Sequence, residues 1–262
     1  MPSRDELRDH LIRTRIAGDV ATSRENNLDH YRLLAERDPY LMLGLTLSEP
    51  WPFRDILALM AKAAGVVPDP EHLTGQDTID PERVLDALDE MAEVIAGALA
   101  VPGARVLLAT GHPAGLLPVH LALGRLAVAH GATLLEPAEG FEHVNPYFGR
   151  RRSIRYLEGV AILSDKGAFV HSHEAEPMRA MLAELGDDRP DLVIADHGWA
   201  GAAGEAGLLT VGFADSNDPA LFVGEAEGKL AAVVPLDDHV LPRYYAPLAD
   251  YLVTQVTRAL GA

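Results

Sequence analysis

The sequence predicts an α/β protein: a mainly parallel, Rossmann-like sheet preceded by a helical N-terminal region. Three observations carry this. Short apolar runs alternate with helical segments after residue 100. Glycines and polar residues stand at the ends of those runs. The first hundred residues show helical periodicity and no convincing strand. Alternation of this kind indicates strands joined by crossover helices, with helices on both faces of the sheet. The predicted organisation is therefore a helical region over 1–100, packed on an α/β domain over 101–262 that carries the site.

In the first region, Leu7, Leu11 and Ile12 fall at helical spacing. Ser23 is read as an N-cap of a second helix running through Leu28, Tyr31, Leu34 and Ala35 to a stop at Asp38-Pro39. A third helix spans about Phe53 to Ala64 and ends at Gly65. The fourth has the clearest start, with Asp80 as cap and Pro81 in the first helical position. Its apolar residues Val84, Leu85, Leu88, Met91, Ala92 and Ile95 recur at three and four residues. These helices are expected to lie over the carboxyl edge of the sheet.

The second region opens with RVLLAT (Arg105–Thr110), a buried strand. The tight loop Gly111–Gly115, an apolar helix from Leu116 to His130 and a strand over Ala132–Glu136 complete a βαβ unit. Extended pieces flank the hairpin signal Asp165-Lys166-Gly167. DLVIAD (Asp191–Asp196) and LLTVGF (Leu208–Phe213) are two further strands, joined by the small-residue segment Trp199–Gly207. Leu230–Val234 is a candidate strand, and Tyr244–Leu260 a closing helix.

Composition narrows the function classes. The 262 residues include 39 acids against 22 bases, a formal charge of −17. Such a surface repels phosphate backbones, which argues against nucleic acid as a partner. Residues 174–262 hold 15 of the acids and 5 of the bases. The absence of cysteine excludes disulfides, thiolate metal sites and cysteine nucleophiles. No apolar run approaches a membrane span, and MPSRDELRDHLIRTR lacks an apolar signal region. The expectation is a soluble, cytoplasmic protein without a membrane partner.

Ligands of open parallel sheets bind at the carboxyl ends of the strands. Three such ends carry unusual residues here. Gly111, His112, Ala114 and Gly115 form a loop whose glycines and following helix suit an anion, although a plain strand-to-helix turn is the simpler account. Asp196, Asp215, Asn217 and Asp218 offer oxygen ligands to magnesium or manganese, and His197 is compatible with manganese. Asp215 and Asp218 are equally good helix caps. Arg150, Arg151 and Arg152 are a basic run suited to phosphate or to a solvated strand edge. His171 and His173 alternate and would share a strand face, but are read as an exposed pair on a loop. Arg13, Arg15, Asn26 and Asn27 are read as capping and surface residues in preference to a lid over the site.

The segments GHPAGLLPVHLAL, PDLVIADHGWAGAAGEAG and VGFADSNDPALFVGEAEGK, with ENNLDHYRLLAERDP and GQDTIDPERVLDAL, resemble a family of actinobacterial proteins described as phosphatases. The resemblance covers nearly the whole chain. A helical region before an α/β domain is also distantly similar to the metal-dependent damage-control phosphatases. That family places metal ligands in an Asp-Asn-Ala-Gly-Glu loop after its first strand. Ala114 and Gly115 match it, but His112, Pro113 and Leu116 do not, so those ligands are not reproduced. Together these readings lead to the expectation of a metal-dependent phosphatase acting on a small phosphorylated metabolite. Asp196 and Asp215 would hold the cation, His112 or His197 would be acid or base, and the Gly111–Gly115 loop with the arginine run would bind phosphate. A non-catalytic binder of a sugar phosphate or nucleotide, and a metal-free isomerase or lyase, are the alternatives.

Overall fold

Ser3 begins the first helix by a reciprocal cap: its hydroxyl accepts from the Glu6 amide, and the Glu6 carboxylate accepts from the Ser3 amide. In the computed structural model, which describes residues 2–145 and 149–261, this helix is α1 (Arg4–Thr14). β1 (Gly18–Ser23) follows, and Ser23 caps α2 (Arg24–Ala35) by accepting from the Asn26 amide. Then come α3 (Phe53–Ala63), β2 (Gln76–Ile79) and α4 (Pro81–Leu99), the last capped by Asp80. The βαβ unit comprises β3 (Arg105–Thr110), α5 (Pro113–Ala129) and β4 (Thr133–Leu134). An antiparallel group follows: β5 (Glu142–Val144), β6 (Arg151–Leu157), β7 (Val160–Asp165) and β8 (Ala168–Phe169). The chain then alternates through α6 (Glu176–Leu185), β9 (Leu192–Asp196), α7 (His197–Glu205), β10 (Thr210–Ala214), α8 (Pro219–Ala226) and β11 (Ala232–Pro235). A 3₁₀ turn at Pro242–Tyr245 leads into α9 (Ala246–Leu260).

The large sheet runs β11-β10-β9-β3-β7-β6-β5. Strands β11 to β7 are mutually parallel, and β4 runs parallel to the start of β3. β5, β6 and β8 are antiparallel additions. The fold is thus α/β with a mixed sheet whose parallel strands are buried on both faces. Val106, Leu108, Ile194 and Phe213 belong to one core with α1, α4, α5 and α9. Leu107, Ala109, Val193 and Ala195 belong to the other, with α2, α3, α6, α7 and α8. Strands covered on both sides explain the continuous apolar runs in the sequence.

Two expectations are corrected. The first hundred residues do contain strands: β1 and β2 pair antiparallel, with Gly18 opposite Ile79 and Asp19 opposite Thr78. Only Val20 of β1 is fully buried, so its sequence carries no apolar alternation, and its partner lies far along the chain. The small-residue segment after Asp196, given no element from the sequence, is a helix. Glycine disfavours helix locally, but here it permits close packing: a Cβ on Gly201 would collide with the Leu43 carbonyl, and one on Gly198 with the His173 carbonyl. The N-terminal helices divide between the two faces, and β1 with the start of α2 reaches the carboxyl edge. There Thr22 contacts Asp215, and the Tyr31 hydroxyl donates to the Ser216 carbonyl at 2.7 Å. Among the described residues no helix is long and apolar enough to cross a membrane.

Candidate metal centre

The carboxyl ends of β3, β9, β10 and β11 surround a crevice of about 310 Å³, closed on one side by Ala21 and Thr22 and on another by His171 and His173. Each strand end delivers its side chains abruptly. β3 ends in Gly111-His112, β9 in Asp196-His197, β10 in Asp215 to Asp218, and β11 in Asp237-Asp238-His239.

His197 is central. It sits in the left-handed region at φ 47°, where a non-glycine side chain costs roughly 1–3 kcal/mol. The side chain is fully engaged in return. Its Nδ1 lies 2.8 Å from Asp196 Oδ1, and its Nε2 lies 3.4 Å from Asp218, from Asp238 and from His171 Nε2. Asp196 stands one layer behind. Its oxygens also accept from the Gly111 amide at 2.6 Å and pair with His120 Nε2 at 3.1 Å. The carboxylate therefore directs the His197 Nδ1 hydrogen inward and leaves Nε2 for the crevice, the arrangement usual behind a metal-binding imidazole. Burial opposes both charges. The bonds from His120 and His197 nevertheless hold Asp196 far below the ordinary carboxylate range. Likewise Asp218, Asp196 and Asp238 push His197 up to about 10.

The carboxylates face one another. Asp215 accepts from the Thr22 hydroxyl and the Ser216 amide, both at 2.5 Å. Burial and the neighbouring Asp237 push its pKa up to about 7. Asp237 accepts from the Ala21 and His239 amides at 3.1 and 2.9 Å. Burial raises Asp218 and, further still, Asp238, whose Oδ2 has no hydrogen-bond partner. Burial and the facing His197 lower His112 to about 4 and His171 to about 3. Among the described residues, no lysine or arginine lines the crevice.

Among the described residues, three sets of side chains present ligand atoms within 4.8 Å of one another: His171, His173 and His197; His197, Asp218 and Asp238; and Asp215, Asp237 and Asp238. Two ligands of one ion at about 2.0–2.6 Å lie no more than about 5 Å apart, so each set fits a cation. Nitrogen and oxygen donors, the carboxylates and His197 buried and crowded with like charge, suit a divalent ion.

The sequence-predicted residues distribute unevenly. Asp215, Asp218, His112 and His197 meet in the crevice. Asp218 begins α8 but makes no side-chain cap bond, so its carboxylate is left for His197. Asp196 turns away from the crevice to hold His197 and His120. Asn217 lines the crevice, but its amide donates to Asn26 at 2.6 Å. The expected Gly111–Gly115 loop is shorter, because α5 begins at Pro113 and takes in Ala114 and Gly115; the glycines serve close packing: a Cβ on Gly111 would strike the Ser172 carbonyl, and one on Gly115 the Asp238 carbonyl. Ala114 is exposed. Arg150, Arg151 and Arg152 lie in a separate groove over the antiparallel strands. Their guanidinium groups pair with Asp165, Glu142 and Glu174 at 3.3, 2.7 and 2.7 Å. Arg15 donates to the Asp19 and Val20 carbonyls, a local contact of the kind expected; Asn27 is instead fully buried and donates to Asp77, and Asn26 accepts from Asn217 at the crevice.

Sequence reasoning missed Asp237, Asp238, His239 and His120. Asp237-Asp238-His239 follows an apolar run, which was a usable signal; His120 looked like one apolar-helix residue among many. It also underrated His171 and His173. The loop carrying them is pinned by the Ser172 amide donating to the Gly111 carbonyl at 2.9 Å, which brings both rings against His197, with centroids 5.0 and 4.7 Å away.

The raised groups dictate a pH response for the protein without added metal. His197 binds its proton more tightly folded than unfolded, so its contribution is complete below the unfolded value of about 6.5 and is lost as pH rises through about 10. Asp238 acts in the same direction. Stability measured by urea unfolding should therefore fall from pH 7 to pH 10, on the order of a few kcal/mol. A flat or rising profile would contradict this charge arrangement.

A family model described as Phosphatase matches residues 2–260. Phosphatase SCO2771 of Streptomyces coelicolor is 50% identical over 259 residues, covering 97% of this chain and 96% of its own. That extent takes in every strand end around the crevice, and the actinobacterial resemblance read from the sequence holds. On both grounds the chain belongs to this phosphatase family.

Proposed function

We propose that the protein is a metal-dependent phosphatase that hydrolyses a phosphate monoester of a small metabolite. The observation that carries the reading is the overlap of the three ligand sets, which share His197 and Asp238 at the carboxyl edge of the parallel strands. Family membership supports phosphate ester chemistry. A crevice of about 310 Å³ suits a small substrate.

His197, Asp218 and Asp238, or Asp215, Asp237 and Asp238, would hold the cation, with magnesium or manganese fitting the oxygen donors. When bound, the ion supplies Lewis acidity and lowers the pKa of a coordinated water. The chain's own residues do the rest. Asp196 fixes the His197 tautomer. His112, neutral at pH 7 and 3.7 Å from Asp238 and 3.2 Å from His239, would orient the attacking water as a hydrogen-bond acceptor. The carboxylates repel a phosphate dianion, and among the described residues no lysine or arginine lines the crevice to offset them. This is why the reaction should depend on added cation.

Inorganic phosphate release from p-nitrophenyl phosphate and a panel of metabolite monoesters tests this. Release should vanish with EDTA and return with excess Mg²⁺ or Mn²⁺. Release unaffected by EDTA would sink the metal requirement. Tight binding of a panel member without turnover would favour a binding protein.

A further inference from the structure

We propose that the crevice holds two divalent cations per chain, one at its imidazole end and one at its carboxylate end, with Asp238 bridging them. The proposal rests on the metal-dependent reading above and specifies its stoichiometry.

The argument begins with lone pairs. His197 is shared between the imidazole set and the set with Asp218 and Asp238. Its Nδ1 is committed to Asp196, and a ring nitrogen has one lone pair. Nε2 therefore serves a single ion, and these two sets are alternative surroundings of one position. Asp238 is shared between that position and the set with Asp215 and Asp237. A carboxylate has two oxygens and about four lone-pair sites, so Asp238 can serve two ions together.

An independent observation points the same way. Asp238 is 5% exposed, yet its Oδ2 makes no hydrogen bond. It faces His197 Nε2 at 3.4 Å, too long for a good hydrogen bond; a buried carboxylate oxygen so poorly satisfied is costly, and a cation removes that cost. Charge supports a pair as well. Asp215, Asp218, Asp237 and Asp238 all line the crevice. One divalent ion would leave half of their charge uncompensated; two neutralise it. The ends differ in chemistry: imidazoles His171 and His173 favour borderline ions, while the carboxylates favour hard ones. Manganese is compatible with both. In known two-metal sites the ions lie about 3.5–4 Å apart, close enough for their electron spins to couple.

The test loads metal-stripped full-length protein with Mn²⁺, counts ions by elemental analysis and calorimetry, and records the electron paramagnetic resonance spectrum. Wild type should bind two equivalents and show a spin-coupled signal. Asp215→Asn, and separately the double variant His171→Ala/His173→Ala, should each bind one equivalent with an uncoupled signal. Circular dichroism checks folding, and if a variant unfolds, the wild-type count and spectrum decide alone. One equivalent in wild type, or two uncoupled ions, would overturn the proposal. So would two equivalents retained, or none, in both folded variants. EDTA-sensitive phosphate release from protein holding one ion would end this inference and leave the proposed function standing. EDTA-insensitive release would remove the function first.

Discussion

His197→Ala is expected to lower phosphate release by about a thousandfold, the largest loss from any single side chain. It removes the one nitrogen that faces His171, Asp218 and Asp238 together. A thousandfold corresponds to about 4 kcal/mol of transition-state stabilisation, in keeping with the several kcal/mol that metal polarisation of a phosphoryl oxygen supplies. Asp196→Asn should cost less, about 10–100-fold, as is usual for a group that orients a metal ligand. An amide there can still accept from one partner, but it no longer holds the His197 proton on Nδ1 by charge. Steady-state rates and Mn²⁺ affinity should fall together in both variants, in that order. Full activity in His197→Ala, or a greater loss in Asp196→Asn, would contradict the assignment of His197 to the crevice and Asp196 to its support.

Asp77→Ala should destabilise the fold by about 3–5 kcal/mol, the range for removing one partner of a buried ion pair. Arg24 and Asp77 are essentially unexposed and lie 2.9 Å apart. Asp77 also accepts from Asn27 at 2.9 Å and from the Val67 and Thr78 amides at 3.0 Å. Arg24 donates to the His72 and Asp69 carbonyls. Loss of the carboxylate strands a guanidinium, the Asn27 side-chain amide and two backbone amides. The network continues through Asn27, which accepts from the Ser216 hydroxyl beside Asp215, so the variant should also loosen the β1 edge over the crevice. The midpoint of urea unfolding measures the first effect, and a weaker Mn²⁺ affinity the second. A change below 1 kcal/mol would mean that water reaches Arg24. Replacing the pair together, as Arg24→Met/Asp77→Leu, should recover part of the loss, because the His72 and Asp69 carbonyls remain without their donor.

Much of the fold was legible because its signals are local. α4 declared itself through Asp80, Pro81 and a three-and-four apolar spacing; β3, β9 and β10 through apolar runs of strand length. β1 and β2 were not legible. Each is short, half-polar and stabilised by a partner more than fifty residues away, so neither has a pattern of its own. α7 was not legible for the opposite reason. Its glycines lower helix propensity, and the contact that favours the helix, against the Leu43 carbonyl, is tertiary.

The candidate site divides along the same line. Position along the chain was enough to put Asp196, His197, Asp215 and Asp218 at strand ends, because a strand buried on both faces must finish before a charged residue is tolerable. By itself, then, the sequence determined the α/β alternation, the acidic character and the residue types available at the carboxyl edge. Only the tertiary structure decided which of them face one another. It turned Asp196 from the crevice toward His120, brought His171 and His173 in over β3, and completed the carboxylate set with Asp237 and Asp238 from β11. It also paired the Arg150–Arg152 run with nearby acids away from the crevice. The physical reason is range. Secondary structure follows from neighbours a few residues apart, whereas a ligand set needs atoms within about 5 Å of one another, and here those atoms come from strands whose adjacency is set by the order of the sheet.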